Sequence, residues 1–335
     1  MTSNLHEVLI ETQHTKKWTN ATFEGTLPVL SSKDTPYDVL LNGVCGIVSE
    51  DSSDYLFSVG SFGTKIAEDV LDRYLQLQWD IAAEEDVSTS DMFFLLDSVR
   101  RSHRQHQDTK DDAAEPPDVG ELPDPDQTAG EDGPAPSPSE DVSRAPSPAS
   151  DVSGAEAGPV RRRLVLQSEE VLFLSHALGC VRVTTPSGAE LAGERLYRHL
   201  AEECGDRHLA ARYAAYLDLR GRGWVVRDGL QSGADFVLYR RGPAFYHAAL
   251  VVTIQVVCAD TGRLRPERCL RQADWLYTAG LCRAAEQTAK DVLLVRLLWP
   301  SDLGRPADLG YLRRVGVQHT LVRRWTPGRP ARTDS

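Results

Sequence analysis

Tyr239, His247 and Lys290 form a set with complementary proton chemistry. A phenol and an imidazole can take up and deliver protons. An ammonium is a compact point charge that can sit close to a phosphoryl oxygen. Tyr239 and His247 lie eight residues apart in DFVLYRRGPAFYH, around the turn pair Gly242-Pro243. That turn folds the chain back, so both side chains can lie at one end of a sheet. Lys290 stands out by rarity: residues 161–335 hold twenty-six arginines and this single lysine. Together, Tyr, His and Lys can cleave RNA without a metal. Each also has an ordinary structural reading: a Tyr at a strand end, a His in an apolar strand and a Lys at a helix C-terminus.

The elements that hold these residues belong to a basic half of the chain. Residues 1–160 carry 10 Lys+Arg against 31 Asp+Glu, whereas residues 161–335 carry 27 against 18, within an overall net charge of −12. An Arg-rich basic segment is the electrostatic footprint of a nucleic-acid binder, or a solvated surface that balances the acidic half. The six cysteines form no CxxC pair and have no His at finger spacing, which argues against a structural zinc site. The N-terminus has neither a signal core nor transit-peptide character. No apolar run approaches the roughly 20 residues of a membrane span. The chain reads as a soluble, intracellular protein with reduced thiols.

Composition divides the 335 residues. Residues 102–162, rich in Pro, Asp, Glu, Ser and Gly, are expected to be a disordered acidic linker, because such a segment buries too little apolar surface to offset its ordering entropy. Residues 1–101 are expected to be an N-terminal scaffold or interaction region. In it YDVLLNGVCGIVSE and YLFSVGSFGTK suggest extended segments around a turn at Gly60–Gly63, and the run from Ile66 to Glu85 has helical spacing. Residues 163–330 are expected to be a compact α/β domain. SEEVLFLSHALGC reads as a helix capped by Ser168, followed by the strand VRVTT and two helices meeting near Gly205. Three β-rich runs come next, GWVVRD, ADFVLYR and HAALVVTIQVVC. The stretch 269–290 reads as largely helical and leads to the strand DVLLVRLLW, and VQHTLVRRW closes the pattern.

The block GWVVRDGLQSGADFVLYRRGPAFYHAALVV, with SEEVLFLSHALGC before it and VQHTLVRRW after it, resembles the catalytic subunits of the tRNA-splicing endonuclease. The resemblance is strongest to the subunit that cuts the 5′ splice site. It covers about residues 164–326, and GSFGTK (60–65) looks like that family's short glycine-phenylalanine motif. The resemblance implies a restriction-endonuclease-like mixed sheet with flanking helices. It places Tyr239, His247 and Lys290 on the family's catalytic positions, and Arg283 and Trp325 on the residues that hold an unpaired RNA base. On this reading Tyr239 is the base, His247 the acid and Lys290 the stabilising cation, with the first two labels exchangeable. Lys290 is expected to lower the pKa of Tyr239 from its ordinary value near 10. Arg240, Arg241, Arg313, Arg314, Arg323 and Arg324 are candidate phosphate contacts.

The resemblance further implies intron-containing pre-tRNA as substrate and neither metal nor cofactor. It implies three partner subunits, one catalytic and two structural, no membrane and a nuclear location. The edge of VQHTLVRRW is the expected docking strand. Two other readings stand beside it. A metal-dependent nuclease needs clustered acids, and after Asp228 the block offers only Asp235. A non-catalytic subunit of the same complex would not need all three positions filled.

Overall fold

The computed structural model describes residues 10–11, 36–58, 60–83, 91, 94, 97, 161–240, 242–243, 246–271 and 274–323. Among them are twelve strands: β1 (Ile10–Glu11), β2 (Tyr37–Asn42), β3 (Cys45–Val48), β4 (Thr64–Ala67), β5 (Arg162–Leu166), β6 (Val181–Thr184), β7 (Glu190–Leu191), β8 (Val225–Asp228), β9 (Phe236–Tyr239), β10 (Leu250–Cys258), β11 (Asp291–Trp299) and β12 (Gly316–Val322). They build two six-stranded sheets, ordered β4-β5-β3-β2-β6-β7 and β1-β12-β11-β10-β9-β8. In the first, β2 and β6 run parallel; in the second, β10 and β11 do; every other pairing is antiparallel. The expected mixed α/β architecture is present.

The division of the chain at residues 102–162 is not how its strands pair. β5 lies between β3 and β4, and β6 lies beside β2, so one sheet draws on both sides of the acidic stretch. Composition marks where a chain leaves a sheet but not which strands meet afterwards. Residues 102–160 lie outside the described residues, and Arg162, assigned to the linker, opens β5. A second difference concerns Tyr55–Ser58, expected to be extended. They end the helix Glu50–Ser58, because a short aromatic run carries no period of its own and the acidic EDSSD start favours a helix N-terminus. The helix from Ser168 is capped one residue earlier. The Glu170 carboxylate accepts the Gln167 N–H at 3.0 Å, while the Ser168 hydroxyl donates to the Val44 carbonyl.

The second sheet is covered on both faces. Along β10, Leu250, Val252, Ile254 and Val256 join one core; along β11, Leu293, Val295, Leu297 and Trp299 join it too. The intervening Val251, Val292 and Leu294 pack on the opposite side against Leu281, Cys282 and Ala285 of the helix Trp275–Gln287. This period of two fits a sheet buried on both faces. The large core also contains the helix Leu209–Gly221, together with Val39, Leu41 and Phe62 from before the acidic stretch. The two sheets therefore share one hydrophobic interior. All six cysteines are buried and none is in a disulfide, and no described helix is long and apolar enough to cross a membrane.

Candidate active site

Tyr239 is the last residue of β9, and Lys290 immediately precedes β11. Between them runs β10, whose Leu250 pairs with Leu238 on one side and Asp291 on the other. Continuing that register by one residue puts Tyr239, Ala249 and Lys290 in one row across three adjacent strands. Backbone hydrogen bonds tie the row together: Ala249 N–H donates to the Leu238 carbonyl at 2.8 Å and Asp291 N–H to the Ala249 carbonyl at 3.3 Å. The turn before Lys290 is held by its own N–H, bonded to the Ala285 carbonyl at 2.9 Å. There Ala289 adopts φ +52°, a left-handed conformation unusual for a residue with a Cβ. Such strain persists only where the surroundings impose it.

Tyr239 and Lys290 line one cavity of about 180 Å³, shared with Thr64, Arg227, Asp228 and Ala248. His247 immediately precedes Ala248, but it is exposed and does not itself line the cavity. Of the proposed triad, then, two members share a cavity and the third lies on the connection beside it. Burial pushes the Tyr239 phenol above its ordinary value, and the charge that opposes this is Arg227. Lys290, expected from the sequence to lower it, is not among the charges that act on the phenol. The Lys290 ammonium lies 3.5 Å from the Thr288 carbonyl, within its own turn.

Arg227 and Thr64 were not singled out from the sequence. Arg227 is only 7% exposed. Its guanidinium donates to the Ser61 carbonyl at 3.1 Å and to the Thr64 hydroxyl at 3.4 Å. Its neighbour in function is Arg220, which donates to the Gly60 carbonyl at 3.1 Å and stacks 4.1 Å from the centre of the Phe62 ring. The Glu170 carboxylate completes the clamp by accepting Gly63 N–H at 3.0 Å. The patch GSFGTK is thus gripped by three buried charged side chains and brought to the cavity wall. It also touches the connection after β9: a Cβ on Gly242 would collide with the Ser61 hydroxyl. The available signal was the glycine-phenylalanine patch itself, but nothing local to it named its partners.

Arg283 is exposed on the helix Trp275–Gln287, pointing away from the sheet between the buried Cys282 and Ala285. It does not line the cavity. Trp325, Arg324 and Arg241 lie outside the described residues. Of the other candidate phosphate contacts, Arg314 pairs with Asp302 at 2.5 Å and Arg323 with Asp291 at 2.9 Å, while Arg240 and Arg313 are exposed. Asp235 is a structural brace whose buried carboxylate accepts the Ile254 N–H at 2.6 Å. The outer edge of β12, expected to be free for docking, is paired at Leu321 and Val322 with β1.

Residues 209–294 match the family model of the tRNA intron endonuclease, catalytic C-terminal domain. The chain is 36% identical over 170 residues to the tRNA-splicing endonuclease subunit Sen2 of Gallus gallus, which covers 50% of this chain and 35% of that protein. It is 33% identical over 162 residues to the probable tRNA-splicing endonuclease subunit Sen2 of Oryza sativa, covering 48% of this chain and 52% of that one. To the subunit Sen2-1 of Arabidopsis thaliana it is 37% identical over 171 residues, 50% of this chain and 66% of that one. The chain thus spans only about a third of its relative in chicken and half of that in rice. The helix Leu209–Gly221, the strands β8 to β10 and the start of β11 fall inside the matched segment, and with them Tyr239, His247 and Lys290. Through that segment the chain carries a tRNA intron endonuclease catalytic domain, and it is similar to the Sen2-type subunits of tRNA-splicing endonucleases.

Proposed function

We propose that this chain is a catalytic subunit of a tRNA-splicing endonuclease that cuts intron-containing pre-tRNA at the 5′ splice site. The observation that carries the reading is the row Tyr239–Ala249–Lys290, which puts a proton-active phenol and an ammonium in one cavity within the matched domain. In the reaction, the 2′-hydroxyl beside the scissile phosphate is the nucleophile. Tyr239 takes its proton as the new oxygen–phosphorus bond forms. The bond to the 5′ oxygen breaks, and His247 gives that oxygen a proton. Lys290 stabilises the charge that builds on the phosphoryl oxygens in between. The products are a 2′,3′-cyclic phosphate and a 5′-hydroxyl.

Base, acid and cation are all side chains, so the step needs neither metal nor external water. The exposed position of His247, next to the cavity-lining Ala248, suits a group that must meet the leaving strand of a large substrate. Arg283 and Trp325 serve RNA positioning rather than chemistry. The complete enzyme includes one further catalytic and two structural subunits, and it acts in the nucleus.

The test is cleavage of pre-tRNA by the reconstituted complex carrying His247→Ala, with the product ends analysed. Loss of 5′-site cutting alone, with EDTA-resistant cutting and cyclic phosphate ends in the unaltered complex, supports the reading. Persistent 5′-site cutting by the variant would mean that this chain is a structural subunit. A 3′-hydroxyl end would sink the mechanism.

A further inference from the structure

We propose that Arg227 is a positioning residue for Tyr239, carrying the positive charge that orients the phenol in the cavity and eases the loss of its proton. This rests on the reading of Tyr239 as a proton-transfer group.

Four observations lead to it. First, strand register: Arg227 pairs with Val237 and Val225 with Tyr239 across β8 and β9, so Arg227 is the diagonal neighbour of Tyr239. Diagonal partners stand roughly 7–8 Å apart at Cα, within reach of a long side chain. Second, Arg227 and Tyr239 line the same cavity. Third, Arg227 is more than nine-tenths buried and fixed by the Ser61 carbonyl and the Thr64 hydroxyl, so its charge is fixed in place. Fourth, it is the charge that counters the effect of burial on Tyr239.

The other charged groups at the cavity are Asp228 and Lys290. Asp228 carries a carboxylate of the opposite sign, but it is engaged by the Leu230 N–H at 3.2 Å and feels Arg212 most strongly among the cations. Lys290 remains available for the phosphoryl group. The arrangement assigns one cation to the base and the other to the substrate. It also explains why GSFGTK is clamped so firmly: the turn is the seat of Arg227.

The experiment uses the full chain with its tyrosines labelled at 13Cζ, and the Tyr239 resonance is identified by its loss in Tyr239→Phe. In Arg227→Met the ionisation midpoint of Tyr239 is expected to rise by about 1–3 pH units, the range for loss of a close opposite charge. In Arg227→Lys it should stay within a fraction of a unit. In the complex, pre-tRNA cleavage at one pH below the midpoint should fall about tenfold per unit of that rise. The same substitution in the Tyr239→Phe background should add no further loss. If Arg227→Met does not fold, Thr64→Val, which removes one anchor of the guanidinium, should show the same upward shift at smaller size.

An unmoved Tyr239 midpoint in a folded Arg227→Met protein overturns the proposal. Equal shifts in the Lys and Met variants overturn it as well, since the charge would then not be the cause. A preparation that cleaves no pre-tRNA defeats the functional reading instead, and the Tyr239 titration still decides the role of Arg227.

Discussion

The guanidinium of Arg227 lies 3.4 Å from the hydroxyl of Thr64, a residue 163 positions earlier in the chain. Through that contact a turn that precedes the acidic stretch forms part of the wall beside Tyr239. Candidate catalytic and supporting residues thus come from both sides of residues 102–160.

Lys290 should not tolerate replacement by another cation. Its place is set by the turn at Ala289 and by the row shared with Tyr239. A guanidinium is larger, planar and differently hydrated. Lys290→Ala should lower single-turnover cleavage by about 10²- to 10³-fold, the usual scale for losing one electrostatic stabiliser. Lys290→Arg should recover little of it. Full activity of the Arg variant would remove the case for a point charge at this position.

Gly242→Ala should lower cleavage while leaving the fold intact. The new methyl meets the Ser61 hydroxyl and displaces the connection that carries His247. The second substitution Ser61→Gly removes that obstacle and suits the φ of +53° at this position. The double variant should therefore be more active than Gly242→Ala alone. Measuring both by pre-tRNA cleavage, with circular dichroism as the fold control, decides the matter.

Glu169 gives the stability a definite pH dependence. Burial pushes its carboxyl up from 4.5 to about 7, against the pull of Arg212. Between those two values the folded chain holds a proton that the unfolded chain has released. Its contribution therefore weakens as pH rises from about 4.5 to about 7 and is level above that. Urea unfolding across this range should show a shallower fall in Glu169→Gln than in the unaltered protein. Arg212→Met leaves the carboxylate buried without its cation and should cost about 3–5 kcal/mol at pH 8, with a smaller loss at pH 5.

Residues 163–335 expressed alone should not fold. Within that piece β5 and β6 would lack β4, β3 and β2, their partners in the first sheet. Leu164, Leu166 and Val183 would be stripped of cover, although each is at most 1% exposed in the full chain. Dispersed amide spectra from that fragment would contradict the shared core.

Much of the second sheet was legible in the sequence. β8, β9 and β10 are β-rich runs separated by Gly-containing turns, β11 is the apolar run DVLLVRLLW, and the helix before it follows its apolar spacing. Tyr239 and Lys290 were legible as well, one by its place before a Gly-Pro turn and the other by rarity. Arg227 was hidden among the many arginines, because what distinguishes it is burial against a distant turn. The partnership of β4 with β5 was hidden for a related reason. β5 was not read as a strand and the end of β4 was read as helix, and pairing across some hundred residues leaves no local trace in either.

The ladder between β4 and β5 joins residues on either side of residues 102–160 through four paired positions, Thr64 to Ala67 with Val165 to Arg162. The two sides are thus bound by backbone hydrogen bonds and a common interior as well as by the covalent chain. A protease that nicked residues 102–158 would remove a covalent tie without removing any described residue that lines the cavity. The two pieces would stay together as a complex, with Thr64 on one and Tyr239 on the other. The wall of the cavity is therefore held by pairing and packing that a cut in the covalent chain between Ala67 and Arg162 would leave in place.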